Sequence, residues 1–562
     1  MCISVVHACN RCELVKMASA QDIDTLMGHL GDFGIYQALQ FTLHILSAAT
    51  AGLNMLTLVT VAAVPEYRCK IPNYDTNKTD MHLNETTLDM YIPRLPSGKI
   101  DSCSLINTTT NAIYKCNSWV FDDTYYGTTR AVEWNLVCDR RWMGAVSQSA
   151  YMFGVFTGAI WLGNLADKIG RKPVFCWSAV FQVVFGVGVA FTPEYISFLV
   201  MRYLYGIFGS AGSYIPGFVL TMELIGPSKR SICGVAFQAA FATGIMLVAG
   251  WGAIIKDRQL LQIVYGCHAL LLCAHFWIMD ESPRWLWANG RKSEAVSILN
   301  RALKMNKSTV TITLDDINKT TEGKKTSDDQ AGMLNLFKTP NLRKKTFNIM
   351  LCWFANSLVY YGLSLSTGSM TGNPFFVLFL MGFVELPCYV VTVYLMDKLG
   401  RRSLTSFAMI VGGICCIIAV SLPEGSLSTG FVFAGKFLIA GSFAILYNYS
   451  AELFPTVIRN SAMGLGSMCA RTSGALTPLI TLLDSFDPKM PAIIFSVIAL
   501  ISGAFVSLLP ETLGKPMQQT IEDGESFGVG DTCFSALCIK RIKDEDDDTK
   551  SKMDMEANNA KY

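Results

Sequence analysis

Four ionisable side chains sit inside long apolar runs of this 562-residue chain: Arg202, Glu385 of "FVELPCYVV", Lys436 of "AGKFLIAG" and Arg471 of "CARTSG". A charge among apolar residues is costly and marks a functional place by default. Lys436 and Arg471 can hold a carboxylate, and a guanidinium does so through two parallel hydrogen bonds. Arg202, near the start of its run, reads instead as a topological or interhelical partner. The stretch "CWFANSLVYYG" supplies rings at Trp353, Tyr360 and Tyr361, and a spacing of seven puts Trp353 and Tyr360 on one helix face. Ring faces attract ammonium groups, each contact contributing about 0.5 to 2 kcal/mol, and Glu385 offers the opposite charge. The same residues also allow plainer roles, with the rings packing and the two bases paired to Glu385 or Glu452.

Charged residues also recur at a regular offset. "GNLADKIGRK" holds Asp167 and Arg171, and 230 residues on "YLMDKLGRR" holds Asp397 and Arg401. Glu281 recurs as Glu511, Gly234 and Gly244 recur as Gly464 and Gly474, and Glu223 recurs as Glu452 one residue short of that offset. Glu223 and Glu452 are each followed seven residues later by an arginine, Arg230 and Arg459. An offset held this widely means that the chain is a duplication. Such groups form ion pairs and helix-end contacts that break at modest cost. Topology and loop solvation would account for the lysines, but they call for no acids at a repeated register.

What must position these residues is a membrane. Apolar residues make up 51% of the chain and charged ones 16%, against about a quarter charged in soluble domains. A hydrocarbon core of roughly 30 Å takes about 20 residues of helix. Twelve runs meet that length, at approximately 38–63, 143–165, 174–192, 196–223, 231–255, 260–280, 346–366, 375–396, 404–422, 431–454, 461–483 and 491–510. Short loops rich in Lys and Arg fall on one side, Lys256 and Arg258 excepted, so both termini are expected in the cytoplasm. The loop 65–142 then lies outside. It holds Cys69, Cys103, Cys116 and Cys138, which allow three pairings, and glycosylation sequons at Asn77, Asn84 and Asn107. Sequons at Asn306, Asn318 and Asn448 read as cytoplasmic or intramembrane and are expected to stay bare.

The expected organisation is a cytoplasmic N-terminus (1–37), a six-helix bundle (38–280), a cytoplasmic helical linker (281–345), a second six-helix bundle (346–510) and a cytoplasmic, largely disordered tail (511–562). Six being even, both copies keep one orientation. That is the parallel arrangement of major facilitator transporters, with the solute site near the midplane between halves. The fold expected is an all-α membrane protein of twelve transmembrane helices in two pseudo-symmetric bundles. In such a carrier the cytoplasmic ends of the halves must close and part. Asp167, Arg171, Asp397 and Arg401, extended by Glu223, Arg230, Glu452 and Arg459, are therefore expected to form the latch.

Further stretches run the length of the chain: "LGDFGIYQ", "EWNLVC", "ADKIGRK", "ESPRWL" with "GRKSEA", "VYYGLSLST", "AELFPTVIRN" and "PETLGKP". Together with the large first loop they resemble the organic cation, anion and zwitterion transporter family of the major facilitator superfamily. The resemblance implies transport of small charged organic molecules across the plasma membrane. It also implies that the helix-eleven position discriminates, being Asp in cation members and Arg in anion and carnitine members; here it is Arg471. Lys436 likewise fits the anion and carnitine type. The family's aromatic cage matches Trp353 and Tyr360, with Phe443 expected to join, and Gln238 matches a polar cavity position.

The function expected is therefore secondary transport of small zwitterions or amines of the carnitine, carcinine or amino-acid-derivative type. The alternatives are a polyspecific organic cation or anion transporter, and a receptor or sensor without transport, which would not need the twin charged motifs. The partners expected are a small charged organic solute and the bilayer, with sodium or a proton left open as coupling ion. Near-zero net charge gives no reason to expect nucleic acid. There is no glycine-rich phosphate loop, so neither ATP drive nor an enzyme is expected. No cofactor or metal is expected either: "CNRC" at Cys9 to Cys12 has no second pair at zinc spacing, and residues 1–16 read as an alternative start. His44, His268 and His275 read as satisfied interior histidines.

Overall fold

The computed structural model describes residues 23, 26–72, 74–75, 81, 83–95, 98, 100–308, 310–312, 333–366, 370, 372–515, 518 and 520–528. Asn77, Asn318, the Cys9 to Cys12 pair and the tail beyond 528 lie outside the described residues.

Twelve long helical rods are present among the described residues. The first six are α1 (Ile35–Val61), α2 (Trp142–Ile169), α3 (Arg171–Gly188), α4 (Tyr195–Gly206 running on into Ser213–Leu224), α5 (Arg230–Ile254) and α6 (Arg258–Ile278). The second six are α7 (Pro340–Leu365), α8 (Pro374–Leu399), α9 (Arg401–Ser421), α10 (Ser426–Leu453), α11 (Thr456–Thr481) and α12 (Met490–Val506). Among the described residues, seven of these (α1, α3, α5, α6, α8, α9 and α10) are by themselves long and apolar enough to cross a membrane. The others are short, interrupted, or turn polar groups inward: α2 buries Gln148, α7 buries Asn356 and α11 buries Ser473. Rods that line an interior site lose hydropathy for that reason. α4 departs from the expected plain helix, because its middle, Ile207–Gly212, widens into a π turn, an irregularity common at functional sites.

The duplication is visible in the corners. Gly170 at φ 109° ends α2, and Gly400 at φ 85° ends α8; both turn the chain in the left-handed region that glycine tolerates. A Cβ on Gly170 would also meet the Glu281 carboxylate at 2.4 Å, and one on Gly400 would meet Glu511 at 2.5 Å. Each carboxylate caps the helix that follows. Glu281 accepts from Arg171 N (3.1 Å) and Lys172 N (3.0 Å), and Glu511 accepts from Arg401 N (2.9 Å) and Arg402 N (3.1 Å). An anion on orphan N–H groups at a helix start is favoured by both hydrogen bonding and the helix dipole.

Between α1 and α2 stands a small cap that departs from the all-α expectation by two antiparallel pairs. β1 (Tyr67–Cys69) pairs with β4 (Trp119–Phe121), and β2 (Ser104–Ile106) pairs with β3 (Ile113–Lys115). Disulfides join Cys69 to Cys116 and Cys103 to Cys138, which chooses among the three pairings. A buried ion pair, Arg68 to Asp75 at 2.7 Å, completes the interior. Burial would raise the Asp75 carboxyl, but the bonds from Arg68 and from Ile71 N outweigh it and hold it below the usual range. Asn84 and Asn107 are exposed.

The cap also accounts for the basic loop that breaks the charge rule. Lys256 donates to Thr124 O at 3.2 Å, and Arg258 pairs with Glu133 at 2.7 Å. Arg130, buried, places its guanidinium on the Val189 and Ala190 carbonyls at the end of α3 (3.1 and 3.2 Å) and over the Trp134 ring at 4.6 Å. "EWNLVC" thus carries the acid and the ring that seat two arginines.

At the opposite end each bundle has its own fastening. Helices Pro283–Ala288 and Lys292–Met305 pack with Ile23, Met27 and Leu30 onto the first bundle. Asn306 ties them to the start of α1, accepting from Tyr36 N at 2.9 Å and donating to Gln37 at 2.8 Å. The tail is not wholly without structure: Ile521–Ser526 is helical, and Glu525 accepts from Asn341 N and Leu342 N (2.8 and 2.9 Å), capping α7. Expectation gave this segment to a largely disordered tail because it is polar; its carboxylate binds the helix start that Pro340 opens.

Cys138→Ser should lower the fraction of protein at the cell surface, since closing a loop of 35 residues contributes about 2 to 4 kcal/mol. Surface biotinylation against total protein measures this; wild-type levels would show that the bridge is dispensable.

Candidate functional site

Between the bundles, halfway along the rods, lies a small cavity of about 70 Å³. The first bundle supplies Met55, Met152, Ser210, Tyr214, Gln238 and Phe241; the second supplies Ser357, Tyr360, Tyr361, Phe443, Tyr447 and Arg471. Gln238 lies against the Tyr214 and Tyr447 hydroxyls. Tyr361 stands at 89° to Tyr360 with ring centroids 5.3 Å apart, and Phe443 stacks on Tyr360 at 5.9 Å. Phe218 and Tyr447 meet across the bundles at 6.2 Å on the linker side of this space. Arg471 is the one charged side chain on the wall among the described residues. Its Nε is buried without a hydrogen-bond partner, and no carboxylate pairs with it there.

Of the eight expected solute contacts, the structure brings five to this wall: Gln238, Tyr360, Tyr361, Phe443 and Arg471. The other three stand behind it. Trp353 is 1% exposed, donates from Nε1 to Ser450 at 3.0 Å and buttresses Tyr447 at 4.6 Å. Lys436 and Glu385 pair with each other at 2.9 Å with no exposure at either side chain. The expectation that Lys436 and Arg471 face one carboxylate together is therefore corrected, because Lys436 is already neutralised and Tyr360 separates it from the cavity. Tyr360 and Tyr389 donate their hydroxyls to Glu385 at 2.8 and 2.7 Å. Tyr214 and Tyr447 were not singled out from the sequence; the second lies four residues after Phe443, a helical spacing that signals a shared face.

The polar interior of the first bundle centres on Arg202. It donates to Thr57 of α1 and Gln148 of α2, both at 2.9 Å, and lies 4.7 Å from the Tyr151 ring. Tyr151 bonds Ser210 on the cavity wall at 2.8 Å. His44, His268 and His275 bond Thr221, Val264 O and Leu43 O.

Among the described residues, the ion pairs of the Asp167 and Asp397 motifs at the linker end lie within each bundle. Arg171 meets Asp167 at 3.1 Å and Glu223 at 3.2 Å; Arg401 meets Asp397 at 3.3 Å and Glu452 at 3.1 Å. Each arginine pairs within its own half here, as the members of a latch that closes in one state and parts in the other do when it is parted. Arg230 donates to Ile225 O at 3.1 Å, and Arg459 lies within electrostatic reach of Glu452. Besides the Phe218 to Tyr447 contact, further ties cross at the cap end. Arg141 pairs with Asp484, Ser149 donates to Ala475 O at 2.8 Å, and Tyr126 meets Phe375 with centroids 5.2 Å apart.

Twelve rods in two like copies around a central cavity define a carrier of the major facilitator type, a multi-pass membrane protein. A family model described as "Sugar (and other) transporter" matches residues 103–523. The chain is 37% identical over 534 residues to "Organic cation transporter protein" of Drosophila melanogaster, covering 90% of this chain and 95% of that one. It is 31% identical over 527 residues to "Solute carrier family 22 member 6-B" of Xenopus laevis, covering 89% and 94%. The solved structure of the proton:xylose symporter XylE bound to 6-bromo-6-deoxy-D-glucose shares the fold, with a TM-score of 0.57 at 15% identity over 87% of this chain and 98% of that one. The chain belongs to the organic cation, anion and zwitterion transporter family of the major facilitator superfamily, and it is a secondary transporter.

A partly exposed ion pair such as Arg141 to Asp484 contributes about 0.2 to 1 kcal/mol. Asp484→Asn should accordingly raise the rate at which an impermeant thiol reagent reaches Met152→Cys from the cap side, by up to roughly fivefold. Asp167→Asn in the same background should leave that rate unchanged, and a fall there would place a cross-bundle latch at the linker end.

Proposed function

We propose that the chain carries small zwitterions or amines of the carnitine, carcinine or amino-acid-derivative type across the plasma membrane by alternating access. The observation that carries this is Arg471, the one charge on the cavity wall among the described residues, next to an aromatic surface. A guanidinium in a desolvated cavity calls for an anion, and a carboxylate satisfies its fork. Tyr361, Phe443 and Tyr447 offer ring faces to an ammonium that needs no hydrogen bond. Trp353 backs them, Gln238 adds a polar contact, and Tyr360 shares the wall. The two ends of such a solute thus have unlike partners.

Orientation follows the charge pattern, with both termini, the helical linker 281–345 and the tail in the cytoplasm and the cap outside. Exposed Asn84 and Asn107 suit glycosylation, and Asn77 completes the proposed set. The bundles 38–280 and 346–510 rock about the cavity. The clusters of Asp167, Arg171, Glu223 and Arg230 and of Asp397, Arg401, Glu452 and Arg459 stiffen each half's linker end, and gating acts through the contacts that cross. A second reading, a carrier of organic anions without an ammonium, is favoured by the same lone cation. The relatives named as organic cation transporters favour a third. Sodium or a proton would supply the coupling.

Arg471→Asp should suppress uptake of carboxylate-bearing solutes far more than that of simple quaternary amines. Losing a charged partner from a desolvated pair costs about 2 to 5 kcal/mol, or roughly 30-fold to several thousandfold. Uptake of carnitine, para-aminohippurate and tetraethylammonium at matched surface expression decides between the readings, and equal losses for all three would make Arg471 structural.

A further inference from the structure

The cap is fastened to one half and touches the other. The polar ties of its last stretch, 124–134, run to the first bundle. Thr124 O accepts from Lys256 Nζ at 3.2 Å, Thr128 N donates to Lys256 O at 3.1 Å, and Thr128 Oγ1 accepts from Arg258 N at 3.0 Å. Arg130 adds a bond to Thr192 Oγ1 at 3.0 Å, and Trp134 packs edge-on against Tyr195 and Phe198 at the start of α4. Gly127 lies so close to the α5 to α6 turn that a Cβ on it would stand 3.3 Å from that of Lys256. From this base Tyr126 reaches the other half, its ring meeting Phe375 in the first turn of α8 at 5.2 Å. Phe375 is 7% exposed and sits in a notch on the first bundle, where a Cβ on Gly252 of α5 would meet its Cε1 at 2.8 Å and the Thr60 methyl of α1 at 3.0 Å. Small residues let membrane helices approach this closely, and Tyr126 covers the notch from the cap side.

We propose that the cap is a moving part of the outer gate: it travels with the first bundle and shuts the cap-side entrance by holding Tyr126 over Phe375 of the second. This rests on the alternating-access reading above, in which the bundles part on the cap side to admit a solute. Parting takes Phe375 out of its notch and Tyr126 off its ring partner. The ties to the α5 to α6 turn and to the end of α3 stay whole, because both ends of each belong to one body. Arg141 and Asp484 tie the same entrance with charges that salt screens; the ring pair holds it without them.

In cells expressing the full chain with Met152→Cys, Tyr126→Ala should raise the rate at which an impermeant thiol reagent labels the cavity from the cap side, by roughly two- to tenfold. Tyr126→Phe should keep the parent rate. Phe375→Ala should raise the rate as well, and Tyr126→Ala/Phe375→Ala should go no further than Phe375→Ala alone, since the two rings act through one contact. Pinning the cap to the α5 to α6 turn by a disulfide, Gly127→Cys/Lys256→Cys, should leave the rate at the parent value. If Tyr126→Ala is retained inside the cell, Tyr126→Leu is read in its place. The proposal is overturned if the Tyr126 variant at the surface is labelled at the parent rate, if its effect adds in full to that of Phe375→Ala, or if the disulfide changes the rate. Asp484→Asn separates this from failure of the rocking reading: a rise there with none at Tyr126 overturns the role of the cap and leaves the moving halves standing.

Discussion

An ionised side chain inside a hydrocarbon layer must be neutralised by its neighbours, and the way each one is neutralised organises this protein. Arg202 is held by hydroxyl, amide and ring groups that draw α1, α2 and α4 together. Lys436 and Glu385 satisfy each other within the second bundle. Arg471 alone among these points into the central space, with no acid beside it among the described residues. That open charge is what the proposed reading rests on, in which the solute supplies the partner.

Rigid halves and mainly apolar joints follow from the same distribution. Each bundle closes its linker end with an arginine shared between two carboxylates and a glutamate seated on the next helix start. The helical linker packs on the first half and the segment around Glu525 on the second. The polar ties between the halves are few among the described residues, a partly exposed ion pair and a hydroxyl to a carbonyl, and the rest is packing of α5 on α8 and α2 on α11 with aromatic contacts above and below the cavity. Polar fastening within each half and mainly apolar packing between them suit two bodies that rock.

Much of this was legible in the sequence, and the misses have physical causes. The offset of 230 reported the duplication because one geometry, a glycine corner followed by a capped helix, makes the same demands twice. Apolar runs gave twelve rods, although the ends of α7 and the irregular middle of α4 were not visible, since a π turn keeps the composition of a helix. The bases in apolar runs were found, but not which faced the cavity. Lys436 and Arg471 look alike in sequence, and only the rotation of α10 against α8 puts one on Glu385 and leaves the other open. Arg141 and Asp484 lie 343 residues apart in unremarkable loops, and the second chemistry of "EWNLVC" appears only when α3 and the α5 to α6 turn arrive beside it.

The claim on which the account turns is that Arg471 holds the anionic end of the solute. A structure of the protein with bound carnitine tests it most directly. The account predicts the carboxylate about 2.7 to 2.9 Å from the Arg471 guanidinium, with the trimethylammonium against Tyr361, Phe443 and Tyr447 and the Lys436 to Glu385 pair intact. A carboxylate bound to Lys436, or an ammonium seated on Glu385 with Arg471 unoccupied, would contradict it.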